Sequence, residues 1–224
     1  MSERENVFAR IREALAVTAP RPGAAHDATP EVSPADARSV LPPVGANFPE
    51  NAALFQKNAL ELKADFVLLN FANELPARLT QLATAEGWKR IATHSGELTD
   101  AAGRALRLPT LLADGRHDPR ELEQCDAGLT ECDALVAQTG TVVLTSRGAG
   151  GRALSVLPPH HVVLARRAQL VGGLPDAFAL LQAQYGASYP SMISFITGTS
   201  RTGDIERILV LGAHGPKKLT IFCV

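Results

Sequence analysis

Two apolar runs decide the fold: Thr141-Val142-Val143-Leu144-Thr145 and, further on, Val162-Val163-Leu164-Ala165. Neither alternates apolar with polar residues, as a strand with one wet face does, and both are too short for a buried helix. They read as strands covered on both faces, the usual situation in a parallel sheet flanked by helices. The spacing around them supports this. Upstream, helical periods at Glu50–Lys63, Leu75–Glu86 and Glu97–Leu106 alternate with strand-like runs at Phe66–Asn70, Trp88–Thr93 and Thr110–Ala113. Downstream come a helix over Pro175–Tyr185, a strand over Met192–Thr197, a short helix over Thr202–Leu211 and a last strand over Leu219–Val224. Such alternation predicts βαβ units and a Rossmann-like layered α/β sheet, mostly parallel.

The ends of this body are set by composition. Val7, Phe8, Ile11, Ala14 and Leu15 fall at helical spacing, giving a short amphipathic helix within residues 1–18. Residues 19–46 carry Pro20, Pro22, Pro30, Pro34, Pro42 and Pro43 among Ala, Gly and Ser and read as a linker. The α/β domain is then expected over residues 47–224. A helix with an apolar face ahead of such a linker must bury that face, on its own domain or on another subunit.

Several function classes are disfavoured. The 22 basic and 23 acidic residues leave a formal charge of -1, and no Lys/Arg run resembles a phosphate-backbone footprint, so nucleic acid is not the expected partner. The longest apolar runs fall far short of the roughly 20 residues that span a bilayer. The opening Met1-Ser2-Glu3-Arg4-Glu5-Asn6 has no apolar core behind it and does not read as a secretory signal, so a cytoplasmic location is expected. Cys125, Cys132 and Cys223 do not suggest a disulfide framework, and the six residues between the first two do not match a CxxC metal hook. No metal and no cofactor is expected in this chain.

Three polar segments of the C-terminal half can carry chemistry, and the rule that α/β sheets bind ligands at the carboxyl ends of their strands places them there. Thr139-Gly140-Thr141 offers close backbone approach and two hydroxyls to an anion or carbonyl, or else a tight turn whose threonines satisfy local backbone. Ser146 to His161 joins Gly148, Gly150 and Gly151 to Arg152, Ser155 and the pair His160-His161. Its glycines can form an anion-binding nest, or simply a surface hairpin. The adjacent histidines would face opposite sides of a strand and not share a metal. The third segment, Gly198-Thr199-Ser200-Arg201-Thr202-Gly203-Asp204-Ile205-Glu206, follows a strand and precedes the expected helix. Backbone N–H groups at a helix start, the hydroxyls of Ser200 and Thr202, and the Arg201 guanidinium would together grip a carboxylate or phosphate. Asp204 and Glu206 are candidate acid–base groups or helix-dipole partners, and His214, between turn formers, is a further catalytic candidate. Glu131 completes the set of possible bases.

Taken together, Thr139-Gly140-Thr141, Leu157-Pro158 to His161, Gly198 to Glu206 and His214-Gly215-Pro216, in that order, resemble the lactate utilization protein C family. The likeness runs from about Ala127 to the C-terminus. It implies a sheet similar to that of the sugar-phosphate isomerase and CoA-transferase superfamily. It also implies a non-redox role in oxidising L-lactate to pyruvate, with iron–sulfur partner subunits taking the electrons and a small organic anion as ligand. Gln138 stands where relatives often have Glu, Thr199 where Pro is frequent, and Gly203 where Ala is common. An amide at position 138 cannot act as the carboxylate nucleophile of related transferases. The alternative reading is a stand-alone isomerase or acyl-transferase acting on a phosphate or thioester, using the same Ser200-Arg201-Thr202 cradle.

Overall fold

The computed structural model describes residues 3–16, 42–113, 118–186, 188–202, 210–212 and 214–224. It divides into two units, Met1–Leu41 and Pro42–Val224. In the first, α1 (Glu3–Ala16) exposes Val7, Phe8 and Ile11.

The second unit is built on a six-stranded, wholly parallel sheet. Its order is β1-β12-β7-β4-β2-β3, formed by Asp65–Leu68, Lys218–Cys223, His160–Ala165, Ala127–Glu131, Ile91–Thr93 and Thr110–Leu112. Helices α3 (Leu75–Glu86) and α4 (Glu97–Leu106) cover one face. There Leu75, Leu79 and Ala102 pack on Ile91, Leu129, Val162, Leu164 and Phe222. The other face carries α2 (Phe48–Glu61) and a second sheet, with Phe55, Ala59, Leu135, Val142 and Leu144 packed on Val163, Ala165, Leu219 and Ile221. That second sheet has the order β8-β5-β6-β9, from Leu170–Val171, Ala134–Val136, Thr141–Thr145 and Ile193–Thr197. Its outer face receives α6 (Leu174–Tyr185) through Ala177 and Leu181. A short α5 (Pro119–Glu123) lies beside the edge strand β3, over a small cluster with Ala92 and Leu154.

Local chemistry explains the ends of these elements. The Asn47 side chain accepts from the Glu50 N–H at 3.0 Å, and the Glu50 carboxylate accepts from the Ala46 N–H at 2.7 Å, so each satisfies a donor at the start of α2. Residues 42–46 of the expected linker thus belong to the folded body: Gly45 donates to the Asn51 side chain, and the Pro42 carbonyl accepts from the Gln138 amide.

Three expectations are corrected. The run Thr141–Thr145 is buried on both faces, but its strand is antiparallel to both β5 and β9. Its continuous apolar reading comes from lying between the parallel sheet and α6, not from parallel pairing. The helix expected over Thr202–Leu211 neither begins nor ends as such. β10 (Arg201–Thr202) pairs antiparallel with β11 (Val210–Leu211), because the backbone of Ser200 is already bonded to Pro216 and Gly212 and holds the segment extended. Strands β4 and β5 lie where the sequence pattern had shown none. Gly128 of β4 carries no strand propensity; it is required because a Cβ there would fall 2.5 Å from the Leu154 carbonyl oxygen.

Candidate functional site

One small cavity, of about 160 Å³, gathers the first three residues of the third polar segment, Gly198, Thr199 and Ser200. It is lined by Gly198, Thr199 and Ser200 from the end of β9, His214 from the last turn, His161 from β7 and Ser155 from the turn before it. Its floor, Ile196 and Leu219, is apolar. The cavity sits at the amino ends of β7 and β12, since His161 and Leu219 are the second residues of those strands. The expected carboxyl-end location is therefore wrong for this group. β9 runs antiparallel to β6 and delivers Gly198–Ser200 to the opposite end of the parallel sheet.

Two polar groups of the cavity are notable. Thr199 is 6% exposed, and its buried hydroxyl makes no hydrogen bond to any described residue. Burying an unpartnered hydroxyl costs free energy that a bound hydrogen-bonding ligand restores. His161 is 1% exposed and its Nε2 lies 2.9 Å from Thr130 Oγ1. Burial, with His160 adding to it, lowers its pKa to about 3. The ring is therefore neutral and offers the cavity a hydrogen-bonding wall without charge. His160 faces the other side of the strand, as its adjacency requires, against Trp88 and Thr220 Oγ1 at 2.9 Å. Burial lowers it to about 4. His214 is exposed and joins the lining from the last turn.

The remaining expected residues lie elsewhere. Thr139 and Gly140 lie in the turn between β5 and β6 and Thr141 opens β6, packed on α2: a Cβ on Gly140 would come within 3.0 Å of the Ala59 nitrogen. The hydroxyls of Thr139, Thr141 and Thr197 bond one another at 2.7 and 2.8 Å, the local-satisfaction reading of that segment. Arg152 is exposed, and its carbonyl accepts from the Ser155 hydroxyl. Arg201 is exposed on β10 with Thr202 beside it, not at a helix start. Gly203, Asp204 and Glu206 lie outside the described residues.

At the carboxyl ends of the strands stands a polar group of which the sequence had named only Glu131. Glu131 Oε1 accepts from the Leu98 N–H at 2.8 Å at the start of α4, and its Oε2 accepts from Arg166 at 3.1 Å, so this candidate base is committed to structure. His94 accepts from the Glu131 N–H at its Nε2, and its Nδ1 lies 2.9 Å from the Ser95 carbonyl oxygen, so Nδ1 holds the proton. Asp133 is 6% exposed and accepts from the Tyr185 hydroxyl. Burial, then the bond to Asp133, raises the Tyr185 pKa. The only advance signal was Thr93-His94-Ser95-Gly96 between a strand and a helix. All three cysteines are buried and unpaired, and burial raises each thiol's pKa, leaving them inert. No helix among the described residues is long and apolar enough to cross a membrane.

Residues 55–224 match the LUD domain family. Relatives called lactate utilization protein C include one from Anoxybacillus flavithermus, 31% identical over 177 residues, covering 76% of this chain and 79% of the relative. Another, from Geobacillus kaustophilus, is 38% identical over 112 residues, 49% of this chain and 47% of the relative. The relative from Bacillus subtilis is 34% identical over a stretch of the same length. The chain thus spans about half the length of several of the relatives it matches. The crystal structure of a DUF162 family protein from Deinococcus radiodurans shares the fold, with a TM-score of 0.64 and 23% identity over 80% of this chain and 99% of that one. With a family match covering most of the folded body and a relative aligned over more than three quarters of its length, the chain belongs to the lactate utilization protein C family of LUD domain proteins.

Proposed function

We propose that this protein serves lactate utilisation as a non-redox subunit, holding a compact hydroxy or keto acid in the cavity between β9 and the amino ends of β7 and β12. Oxidising L-lactate to pyruvate releases two electrons and two protons, and iron–sulfur partner subunits take the electrons. One observation carries the reading: the buried, unpartnered Thr199 hydroxyl beside neutral His161 and Ser200. A space of about 160 Å³ is several times the roughly 30 Å³ share of one liquid water. That suits a three-carbon acid. Thr199 and His161 hydrogen-bond the hydroxyl or carbonyl end, and His214 meets the carboxylate. The names of the relatives support the pathway.

The test is a thermal-shift and calorimetric titration of the full chain with L-lactate and pyruvate. Saturating ligand, at a hundredfold excess over its Kd, should raise stability by about 2.7 kcal/mol. Co-purification with two cysteine-rich proteins supports the subunit role. Full lactate oxidation by the isolated chain would sink it, and the absence of any saturable shift would remove the acid from the cavity.

A further inference from the structure

The parallel sheet has a switch point that the amino-end cavity does not use. From β2 the chain passes through α4 on one face to β3, outward; from β4 it passes through the second sheet on the other face to β7, in the opposite direction. β2 and β4 are neighbours, so a crevice opens between their carboxyl ends, where open α/β sheets bind ligands. At that end of the sheet lies a cleft of about 500 Å³ bounded by His94 and Ser95 after β2, Ala113 after β3, and Ser146, Arg147, Gly150 and Gly151. The glycines close it from above. Gly150 and Gly151 take φ of +65° and +87°, and a Cβ on Gly150 would meet the His94 Cβ at 2.7 Å. Arg147 brings a guanidinium to the rim, over the Tyr185 ring at 5.9 Å and bonded to Ser188 at 2.8 Å.

Beneath the same loop lies a second, independent sign of a ligand. Asp133 Oδ1 accepts from Tyr185, which also contacts Thr145 Oγ1 at 2.9 Å; the Gly148 N–H donates to that threonine at 3.3 Å. Asp133 Oδ2, equally buried, has no hydrogen-bond partner among the described residues, and a Cβ on Gly148 would stand 3.5 Å from it. A buried carboxylate oxygen without a donor is costly, and a hydroxyl brought under the loop satisfies it.

We infer that the cleft at the carboxyl end of β2, under the glycine loop, is a ligand site for a small hydroxylated anion, its charged group at Arg147 and that loop and its hydroxyl reaching Asp133 beneath the loop. A phosphate ester and a hydroxy acid share this chemistry. It is independent of the cavity at the other end of the sheet.

The experiment is calorimetric titration of the full chain with glycerol phosphate, glycerate, inorganic phosphate and L-lactate, repeated on Arg147→Gln, Asp133→Asn and His214→Gln. Glycerol phosphate or glycerate should bind saturably, whichever is tighter naming the source. Arg147→Gln, an exposed change that leaves the fold intact, should weaken that binding at least tenfold while His214→Gln leaves it alone. Asp133→Asn, checked by its melting curve, should make glycerol phosphate no better than inorganic phosphate. No saturable heat from either hydroxylated probe, or binding indifferent to Arg147→Gln, overturns the site. L-Lactate lost in Arg147→Gln but kept in His214→Gln would move lactate to this cleft and overturn the amino-end reading instead; lost only in His214→Gln, it leaves both standing.

Discussion

Lowering the pH should unfold this protein through two adjacent histidines. His160 and His161 are held neutral inside β7, with pKa values lowered to about 4 and about 3, chiefly by burial. In the unfolded chain each returns to about 6.5. Between these values the unfolded state binds more protons than the folded one, so stability rises with pH. The contribution of the pair is fully present above pH 6.5 and is lost progressively as the pH falls toward 4 and 3. Because the unfolded ring is already half protonated at pH 6.5, the loss from pH 7 to pH 5, at a limiting slope of about 1.36 kcal/mol per unit, is about 2 kcal/mol for each ring and about 4 for the pair. That is a large fraction of a typical total of about 5–15 kcal/mol. Urea unfolding at pH 7, 6 and 5 measures it, comparing the wild type with His160→Gln, His161→Gln and the double variant. Contributions from groups that the substitutions leave unchanged cancel in the difference. Each variant is less stable at pH 7, having lost its bond to Thr130 or Thr220, but its slope against pH should be shallower. A double variant with the wild-type slope would refute the reasoning, because the rings would then be protonated, or wet, in the folded state.

Gly128→Ala should destabilise by about 1–3 kcal/mol, the usual cost of overpacking, since its Cβ meets the Leu154 carbonyl; a melting temperature equal to wild type would mean the Ala153–Ser155 turn shifts freely. Thr199→Val should abolish acid binding while raising stability by up to about 1 kcal/mol, because it removes an unpartnered buried hydroxyl at nearly constant shape; equal binding by the variant would discard the cavity reading. Arg201→Lys, on an exposed two-residue strand, should change stability by less than about 0.5 kcal/mol, and unchanged ligand titration would place its guanidinium outside the site. Deleting residues 1–41 should leave the Pro42–Val224 unit with one cooperative transition and weaken assembly with partner subunits; loss of cooperativity would make the first unit part of the core.

Much of the architecture was legible because it follows from local pattern. Helices α2, α3, α4 and α6 announce themselves by apolar spacing, and the runs around Val142 and Val162 announce full burial. The likeness to the family was legible for the same reason, since its motifs are contiguous. What local pattern cannot encode is which end of a sheet a segment reaches. Burial looks the same in a parallel strand and in one sandwiched between layers, so the sequence could not tell that β6 and β9 run antiparallel and carry Gly198–Ser200 to the amino ends of β7 and β12. The described ends of the helix expected over Thr202–Leu211 are extended for a related reason: two backbone bonds of Ser200, to residues distant in sequence, set a path that intrinsic propensity does not see. Thr199 and Asp133 become candidates, and His161 is separated from His160, only once the fold shows which ring lines the cavity and which buried oxygens have no donor. The sequence by itself determined the layered α/β class and the family, through periodicity and contiguous motifs. Only the tertiary structure decided where the polar residues meet, because burial and pairing are properties of packed neighbours and not of the chain.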